Sequence, residues 1–252
     1  MTHPGKIYQQ ITQAKQAGEK RFALLIDPDE VSLAGLPALA ELGAQTGVDF
    51  LFVGGSLLVH NTLSDCLSKL RSSCSLPIVL FPGSPLQIDD KADALLFLSL
   101  ISGRNPELLI GQQVISAPYL RHADLEVIGT GYMLIDGGAP TTVSYMSNTT
   151  PIPADKPDVA MATALAAEML GLRMLYLDAG SGARNSIPEA MIKRVSGAVS
   201  IPLIVGGGIR TPERAFQVAS AGADVVVVGN AIEKDRQLLR AMVEAVHAGT
   251  TI

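Results

Sequence analysis

The chain has 252 residues and a net charge of −5; 48% of its residues are hydrophobic and 17% are charged. This composition supports a single domain over residues 1–252, and the negative charge with only 4% aromatic residues argues against a nucleic-acid partner. Cys66 and Cys74 are expected to be reduced thiols of a cytoplasmic protein, and neither a signal peptide nor an apolar run of ~20 residues, as a membrane span needs, is visible.

Eight apolar runs are predicted as strands, and most of them are separated by helical patterns. The strands are Phe22–Ile26, Phe50–Val53, Ile78–Phe81, Ala94–Leu98, Val127–Ile135, Met174–Leu177, Leu203–Val205 and Val225–Val228. After a polar, helix-like stretch at 1–18, helices are expected near Leu33–Thr46, Thr62–Ser73, Pro106–Ala117, Pro157–Leu170, Pro188–Val195, Pro212–Ala221 and Asp235–Ala248. This alternation is typical of an α/β fold, the (β/α)8 TIM barrel.

Two connections between the predicted strands are irregular. Only Pro82–Asp93 joins the third strand to the fourth, and a crossover with its helix needs at least ~10–12 residues. The third helix is therefore predicted to be missing or truncated, which leaves an apolar flank suited to a long hydrocarbon. The polar segment Val143–Lys156, after the fifth strand, is predicted to be a mobile loop over the mouth of the barrel.

A carboxylate and a hydroxyl follow the first two predicted strands. Asp27 ends the first strand in LLIDPDE, and Ser56 follows the second in FVGGS. Parallel strands bring both to the same rim, where they form a partial shell for Mg²⁺, whose other ligands are waters and phosphate oxygens. Taken alone, each residue equally fits a strand-end cap or turn.

The segment Asp89–Asp93 spells DDxxD, which in all-helical prenyl synthases binds Mg²⁺ and diphosphate. That motif works on a long helix, whereas here it runs directly into the fourth predicted strand. We therefore interpret it as a solvated turn.

A second carboxylate, Asp178, ends the sixth strand in YLDAGSG. It is a candidate general base at the mouth, although it could instead accept hydrogen bonds from loop N–H groups. Tyr176 lies two residues earlier and points to the same side, either into the core or toward substrate. The following loop, Gly180–Gly182, offers free N–H groups.

Glycine turns follow the seventh and eighth strands. Gly207 and Gly208 lie after one strand, and Gly229 and Asn230 after the other, with a helix between them that starts at Thr211 as its N-cap. In (β/α)8 barrels these two loops commonly hold a phosphate, so the four residues are predicted to form half of a phosphate cradle. Plain glycine turns are the alternative.

These motifs together resemble geranylgeranylglyceryl phosphate synthase and its bacterial heptaprenylglyceryl phosphate relatives. The matching stretches are LLIDPD at 24–29, FVGGS at 52–56, LFPGSPLQI at 80–88, ADALLFLSLISGRNPELLIG at 92–111, GYMLIDGG at 131–138, YLDAGSGA at 176–183, VGGGIR at 205–210 and VGNAIE at 228–233. They span nearly the whole chain, and 92–111 is the most distinctive. The family usually has glutamate where this chain has Asp178.

The resemblance implies transfer of a prenyl group from its diphosphate to the 3-hydroxyl of sn-glycerol 1-phosphate. It implies Mg²⁺ on Asp27 and Ser56, and catalysis by Asp178 with Tyr176. The implied glycerol phosphate site comprises Tyr176, Leu177, Asp178, Ala179, Gly180, Ser181, Gly182, Gly207, Gly208, Gly229 and Asn230. It also implies the second subgroup of the family, a homodimer or homohexamer, for which Tyr132 is a candidate interface residue. Membrane contact is expected to be at most transient, for delivery of the donor.

Two other functions remain open at this point. A phosphosugar isomerase or lyase on the same barrel would need neither the metal pair nor an uncovered flank. A phosphate-binding barrel without catalytic activity, used as an assembly scaffold, would bind its ligand without turnover.

Overall fold

The computed structural model describes residues 5–249 and has a closed barrel of eight parallel strands at its centre. Each strand pairs with the next in the chain, and β8 pairs with β1. The strands are β1 Arg21–Ile26, β2 Phe50–Val53, β3 Ile78–Leu80, β4 Ala94–Leu100, β5 Glu126–Leu134, β6 Met174–Asp178, β7 Leu203–Gly206 and β8 Val225–Val228. The predicted (β/α)8 barrel is confirmed, while the single-domain boundary at 1–252 stays a prediction because residues 1–4 and 250–252 lie outside the described part.

Helices surround the barrel. They are α1 Lys6–Gln16, α2 Leu36–Thr46, α3 Leu63–Ser73, α4 Gln112–Leu120, α5 Thr142–Ser147, α6 Pro157–Met169, α7 Glu189–Ser196, α8 Pro212–Ser220, α9 Asn230–Lys234 and α10 Leu238–Ala248. The helix predicted near Pro106–Ala117 begins as a π-helix, Glu107–Gly111, before it continues as α4. None of the helices within residues 5–249 combines the length and apolarity that crossing a bilayer requires.

Apart from β4, the strands are apolar on both faces because both faces are covered. In β8, Val225 and Val227 belong to an inner cluster that fills the barrel, whereas Val226 and Val228 pack under the helices. This alternation explains the continuous apolar runs in the sequence. It also determines which residues of each strand face the interior.

The connection between β3 and β4 contains only one short turn, the 3₁₀ helix Pro85–Gln87, as its length predicted. Gln87, which is 3% exposed, fastens this connection to the loop after β2. Its Oε1 accepts hydrogen bonds from the N–H groups of Gly55 (3.3 Å) and Gly83 (3.2 Å), and its Nε2 donates to the Gly55 carbonyl at 2.8 Å. The side chain of Gln87 therefore holds in place the short connection that takes the position of a crossover helix.

The loop predicted to be mobile at Val143–Lys156 is more structured than expected. It contains most of α5, whose N-cap Thr141 forms a capping box with Ser144. Farther along, Ile152 pairs with Ile135 beyond the end of β5. The sequence suggested an irregular segment because it is polar, yet Ser144 within it and Thr141 just before it form the cap that starts the helix.

The DDxxD segment lies in the turn before β4, and its contacts fit the interpretation as a turn. Asp93 accepts hydrogen bonds from the Ile78 N–H (2.7 Å) and from Arg71 (2.8 Å). The last carboxylate of the motif therefore joins the short connection to β3 and α3.

Helix α1 lies across the lower end of the barrel, the end opposite the mouth. Glu126, at the start of β5, accepts hydrogen bonds from the N–H groups of Ile7 and Tyr8 at the first turn of α1. Near the other end, Lys15 forms an ion pair of 2.9 Å with Asp224, just before β8. Ile7 and Ile11 of α1 join the inner cluster, so this helix closes the barrel from below.

We expect Gln87→Leu to lower the free energy of unfolding by about 2 kcal/mol, because it leaves the backbone groups of Gly55 and Gly83 without their partner. Urea denaturation measures this change. The matched control is Gln9→Leu on the exposed face of α1, which should change stability by less than about 0.5 kcal/mol. Equal effects of the two substitutions would contradict a special role for Gln87.

Candidate active site

The loops at the carboxyl ends of the strands surround a cavity of about 520 Å³, here called the mouth cavity. Its lining includes Leu25, Asp27, Glu30, Gly54, Gly55, Ser56, Leu57, Phe81, Thr142, Tyr176, Asp178, Ser181, Gly182, Ala183, Gly207, Gly208, Ile209, Arg210, Gly229, Asn230 and Glu233. The two predicted metal ligands, the predicted base and the glycines of the predicted cradle thus lie around one space.

Gly207 and Gly208 bring the backbone of β7 close to neighbouring loops. Both have positive φ, 85° and 69°. A Cβ on Gly207 would lie 2.7 Å from Asp178 Oδ1, and one on Gly208 would lie 2.6 Å from the Asn185 carbonyl oxygen. Only glycine fits this close approach in this conformation.

Side-chain contacts join the loops of the predicted cradle. Ser181 Oγ donates to Asn230 Oδ1 at 3.5 Å, which joins the loop after β6 to the start of α9. The guanidinium of Arg210 donates to the carbonyl oxygens of Ala183 (2.6 Å) and Arg184 (2.8 Å). The loops after β6, β7 and β8 therefore form one connected surface.

Two of the residues predicted to bind glycerol phosphate direct their side chains away from the mouth cavity. Leu177 and Ala179 pack in the outer cluster under the helices. If they contact a ligand, only their backbone groups do so. The N–H of Gly180 already donates to Asp178 Oδ1 at 2.8 Å, which removes it from the set of free donors.

Asp178 is a buried carboxylate with one hydrogen-bond donor on each oxygen. Tyr132 Oη donates to Oδ2 at 2.6 Å, and Gly180 N–H donates to Oδ1. Burial raises the pKa of Asp178, and the two hydrogen bonds offset only part of that rise. Each carboxylate oxygen accepts more than one hydrogen bond, so a substrate hydroxyl has room to bind. A carboxylate with a raised pKa is a better proton acceptor.

Tyr132 is an interior residue, and its interpretation as a candidate interface residue is wrong. It is only 6% exposed, because it faces the inside of the barrel on β5, where it pairs in register with Tyr176 of β6. Burial and the nearby Asp178 raise the pKa of Tyr132, so it stays a hydrogen-bond donor. Sequence reasoning missed the interior position of Tyr132, which the in-out alternation of β5 could have indicated, whereas its contact with Asp178 leaves no pattern in the sequence.

Three aromatic rings lie together beside Asp178. Phe81 stacks on Tyr176 with ring centroids 4.7 Å apart and planes within 4° of parallel. Tyr132 lies 6.0 Å from Phe81 and 5.7 Å from Tyr176. The sequence placed Tyr176 correctly on the same side as Asp178 but did not indicate Phe81.

Asp27 and Ser56 are neighbours at the mouth, as the strand order predicted. A Cβ on Gly55 would lie 2.6 Å from Asp27 Oδ2, so the carboxylate sits against the backbone that leads into Ser56. Burial raises the pKa of Asp27, and the charges of Asp29 and Glu30 add to the rise.

This donor set fits a hard cation that keeps most of its ligands from water and substrate. A carboxylate with a raised pKa gains from a nearby positive charge, and Asp27 and Ser56 supply two oxygens. Within residues 5–249, no group of three or more His, Cys, Asp or Glu side chains has a metal-binding arrangement. The magnesium site therefore stays a prediction.

A second cavity of about 550 Å³, the flank groove, runs between β4 and the short β3–β4 connection. Its lining includes Gly55, Ser56, Leu57, Val59, Phe81, Pro82, Gly83, Pro85, Leu86, Gln87, Ile88, Leu95, Leu96, Phe97, Leu98, Leu100, Leu108, Gln112, Gln113, Ser116, Tyr132, Val143, Met146 and Asp178. The groove and the mouth cavity share Gly55, Ser56, Leu57, Phe81 and Asp178, which we call the junction.

Fold and site together define a class of protein: a (β/α)8 barrel with a glycine-lined mouth cavity that opens into an apolar groove. A family model described as the PcrB family matches residues 15–248. The chain belongs to the PcrB family, and the resemblance seen in its motifs is confirmed.

Relatives in this family carry a common name. A geranylgeranylglyceryl phosphate synthase of Chitinophaga pinensis is 57% identical over 247 residues, which cover 98% of this chain and 98% of that protein. One of Thermococcus gammatolerans is 40% identical over 255 residues and covers both chains fully (100% each).

Solved structures agree with this relationship. (S)-3-O-geranylgeranylglyceryl phosphate synthase from Thermoplasma acidophilum, in complex with substrate sn-glycerol-1-phosphate, superposes with a TM-score of 0.90 at 34% identity, covering 96% of this chain and 98% of that one. Tryptophan synthase subunit alpha from Legionella pneumophila, at 18% identity and a TM-score of 0.63, covers 96% of this chain and 98% of that one and shares the barrel fold.

We expect Asp178→Asn to stabilise the protein more at pH 8 than at pH 4. In the wild type, stability is lost as pH rises through the raised pKa of Asp178, because the folded protein must then ionise a buried group. Asparagine avoids this loss, and the Tyr132 hydroxyl reverses its role to accept from the amide. A gain on the order of 1 kcal/mol at pH 8 should appear in urea denaturation.

The matched control for this comparison is Asp155→Asn, at a side chain that is 74% exposed. Its effect on stability should be small at both pH values. A stability difference for Asp178→Asn that does not change with pH would contradict the raised pKa.

Proposed function

We propose that this chain transfers a prenyl group from a prenyl diphosphate to the 3-hydroxyl of sn-glycerol 1-phosphate, forming an ether lipid precursor. The observation that carries the proposal is the junction, where a polar, glycine-lined cavity meets an apolar groove at a buried carboxylate. The relatives' names and the bound substrate of the Thermoplasma acidophilum enzyme support the same reaction.

The prenyl tail of the donor lies in the flank groove. Aliphatic side chains from β4 and from the β3–β4 connection line that groove. Each buried CH₂ group contributes roughly 0.8 kcal/mol before the costs of binding are subtracted, which is ample for a long prenyl chain. The diphosphate end then reaches the junction, next to Asp27 and Ser56.

The acceptor lies in the mouth cavity. The loops after β6, β7 and β8 hold its phosphate, and Asp178 receives the proton of its attacking hydroxyl. Binding both substrates at one junction replaces a random encounter with a fixed orientation. Tyr132 and Gly180 hold the carboxylate in place for this step.

Mg²⁺ is the proposed metal, and Asp27 and Ser56 are the residues that would hold it. A bound Mg²⁺ supplies positive charge that neutralises the diphosphate leaving group. Asp27 and Ser56 would provide oxygen atoms facing the diphosphate end of the donor. Glu30 and Glu233 line the same cavity and increase its negative charge.

The two competing functions fit less well. A phosphosugar isomerase or lyase gains nothing from an uncovered β3–β4 flank, and that flank is a groove of about 550 Å³. A scaffold without catalytic activity gives no reason to bury Asp178 with a raised pKa. The homodimer or homohexamer and the transient membrane contact stay predictions.

Turnover of glycerol 1-phosphate with C15, C20 and C35 prenyl diphosphates tests the function. The wild type should form the ether with at least one donor. We expect Asp178→Asn to reduce kcat by about 100-fold or more, because the proton has no acceptor. Its Kd for glycerol 1-phosphate should change by less than about threefold, since the phosphate contacts remain. Ligand binding by the wild type without turnover on any donor would favour the scaffold function.

We expect Asp27→Asn to remove the effect of Mg²⁺ on donor binding. Calorimetric titration with a prenyl diphosphate, with and without MgCl₂, measures this directly. The wild type should bind at least about tenfold more tightly with the metal, whereas the variant should show little difference. Glu30→Gln, in the same cavity, is the matched control and should keep most of the Mg²⁺ effect. An unchanged response in Asp27→Asn would exclude it as a ligand.

A further inference from the structure

The chain has few aromatic residues, yet three of them gather at the junction. It contains no Trp, 5 Tyr and 6 Phe. Phe81, Tyr132 and Tyr176 have their ring centroids within 6.0 Å of one another. Such a cluster of rings at the meeting point of two cavities calls for a chemical explanation.

Phe81 differs from its two neighbours because it is only partly buried and lines both cavities. Tyr176 covers one face of its ring through a parallel stack. The rest of the Phe81 side chain borders the two cavities. The Phe81 side chain has no polar group, so a hydrogen bond does not explain its position.

The proposed reaction places a positive charge at this point. The bond between C1 of the prenyl group and the diphosphate oxygen breaks, and its electron pair leaves with the diphosphate. C1 and C3 of the allylic group then share a positive charge until a lone pair of the glycerol hydroxyl forms the new C1–O bond. The hydroxyl proton passes to Asp178.

An aromatic ring face attracts such a charge and keeps water away from it. The negative face of the ring quadrupole stabilises a nearby cation, and the attraction is strongest where the site is desolvated. A carboxylate alone would also attract the charge, but it could be alkylated by the same carbon. A phenyl ring provides stabilisation without a nucleophilic oxygen.

We propose that Phe81 is a catalytic residue whose ring face contacts the allylic cation at the junction of the mouth cavity and the flank groove. The inference rests on the proposed function and names a residue that does chemistry in it. Tyr176 fixes the Phe81 ring by stacking on it, and Tyr132 lies next to both rings.

Replacement of Phe81 by 4-fluoro-, 3,5-difluoro- and 3,4,5-trifluorophenylalanine tests this role. Each fluorine withdraws electrons from the ring face while the size of the side chain hardly changes. We expect the single-turnover rate to fall stepwise, by about 30-fold for the trifluoro variant. The Kd for glycerol 1-phosphate and the melting temperature should remain those of the wild type.

The same fluorinated series at Phe216 is the matched control, because this ring lies on the outer side of α8, is 44% exposed and lines neither cavity. Its rates should vary less than about twofold. As a second measurement, Phe81→Leu should release more prenyl alcohol per ether formed, because water then reaches the cation. A flat rate series at Phe81, or equal slopes at the two positions, would overturn the proposal.

These measurements distinguish a failure of the Phe81 proposal from a failure of the proposed function on which it rests. If the wild type forms the ether but the Phe81 series is flat, the reaction stands and the role of the ring is wrong. If the wild type forms no ether with any donor, the proposed function itself is wrong, and with it the role of Phe81.

Discussion

The short connection between β3 and β4 is the constraint on which the site depends. A (β/α)8 barrel normally covers each strand with a helix, and residues 81–93 are too few to do so. Because β4 is apolar on its outer face, its uncovered part becomes a groove instead of a solvated surface. Gln87 holds the connection in place, and it does so by binding the loop that carries Ser56. The loop after β2 and the β3–β4 connection therefore contribute residues to both the flank groove and the mouth cavity.

Burial of Asp178 has opposite effects on stability and on chemistry. The low-dielectric interior disfavours its ionised form, which costs folding free energy at neutral pH and makes the carboxylate more basic. The hydrogen bonds from Tyr132 and Gly180 limit that cost and fix the orientation of the carboxylate. A residue selected for stability alone would not be a carboxylate at this position, so its presence there supports a chemical role.

Most of the fold was predictable from the sequence, because continuous apolar strands and glycine turns are local patterns. The missing helix was predictable from the length of Pro82–Asp93 alone. The site was predictable only where its residues end strands, as Asp27 and Asp178 do. Tyr132 and Phe81 could not be assigned, because their roles depend on side chains of β5 and of the loop after β3 meeting β6 inside a closed barrel. Such contacts across the barrel leave no periodic pattern in the sequence.

Helix α1 has a consequence for electrostatics at the opposite end of the molecule. Within residues 5–249 it closes the floor of the barrel with Ile7 and Ile11, so the side chains below Asp178 form an apolar column. Once ligands fill the mouth, little solvent is left to screen the carboxylate. The attraction between unit charges 4 Å apart rises from about 1 kcal/mol in water to about 4 kcal/mol at an effective dielectric constant near 20. By closing the bottom of the barrel, α1 thus strengthens the electrostatic interactions of Asp178 at the mouth.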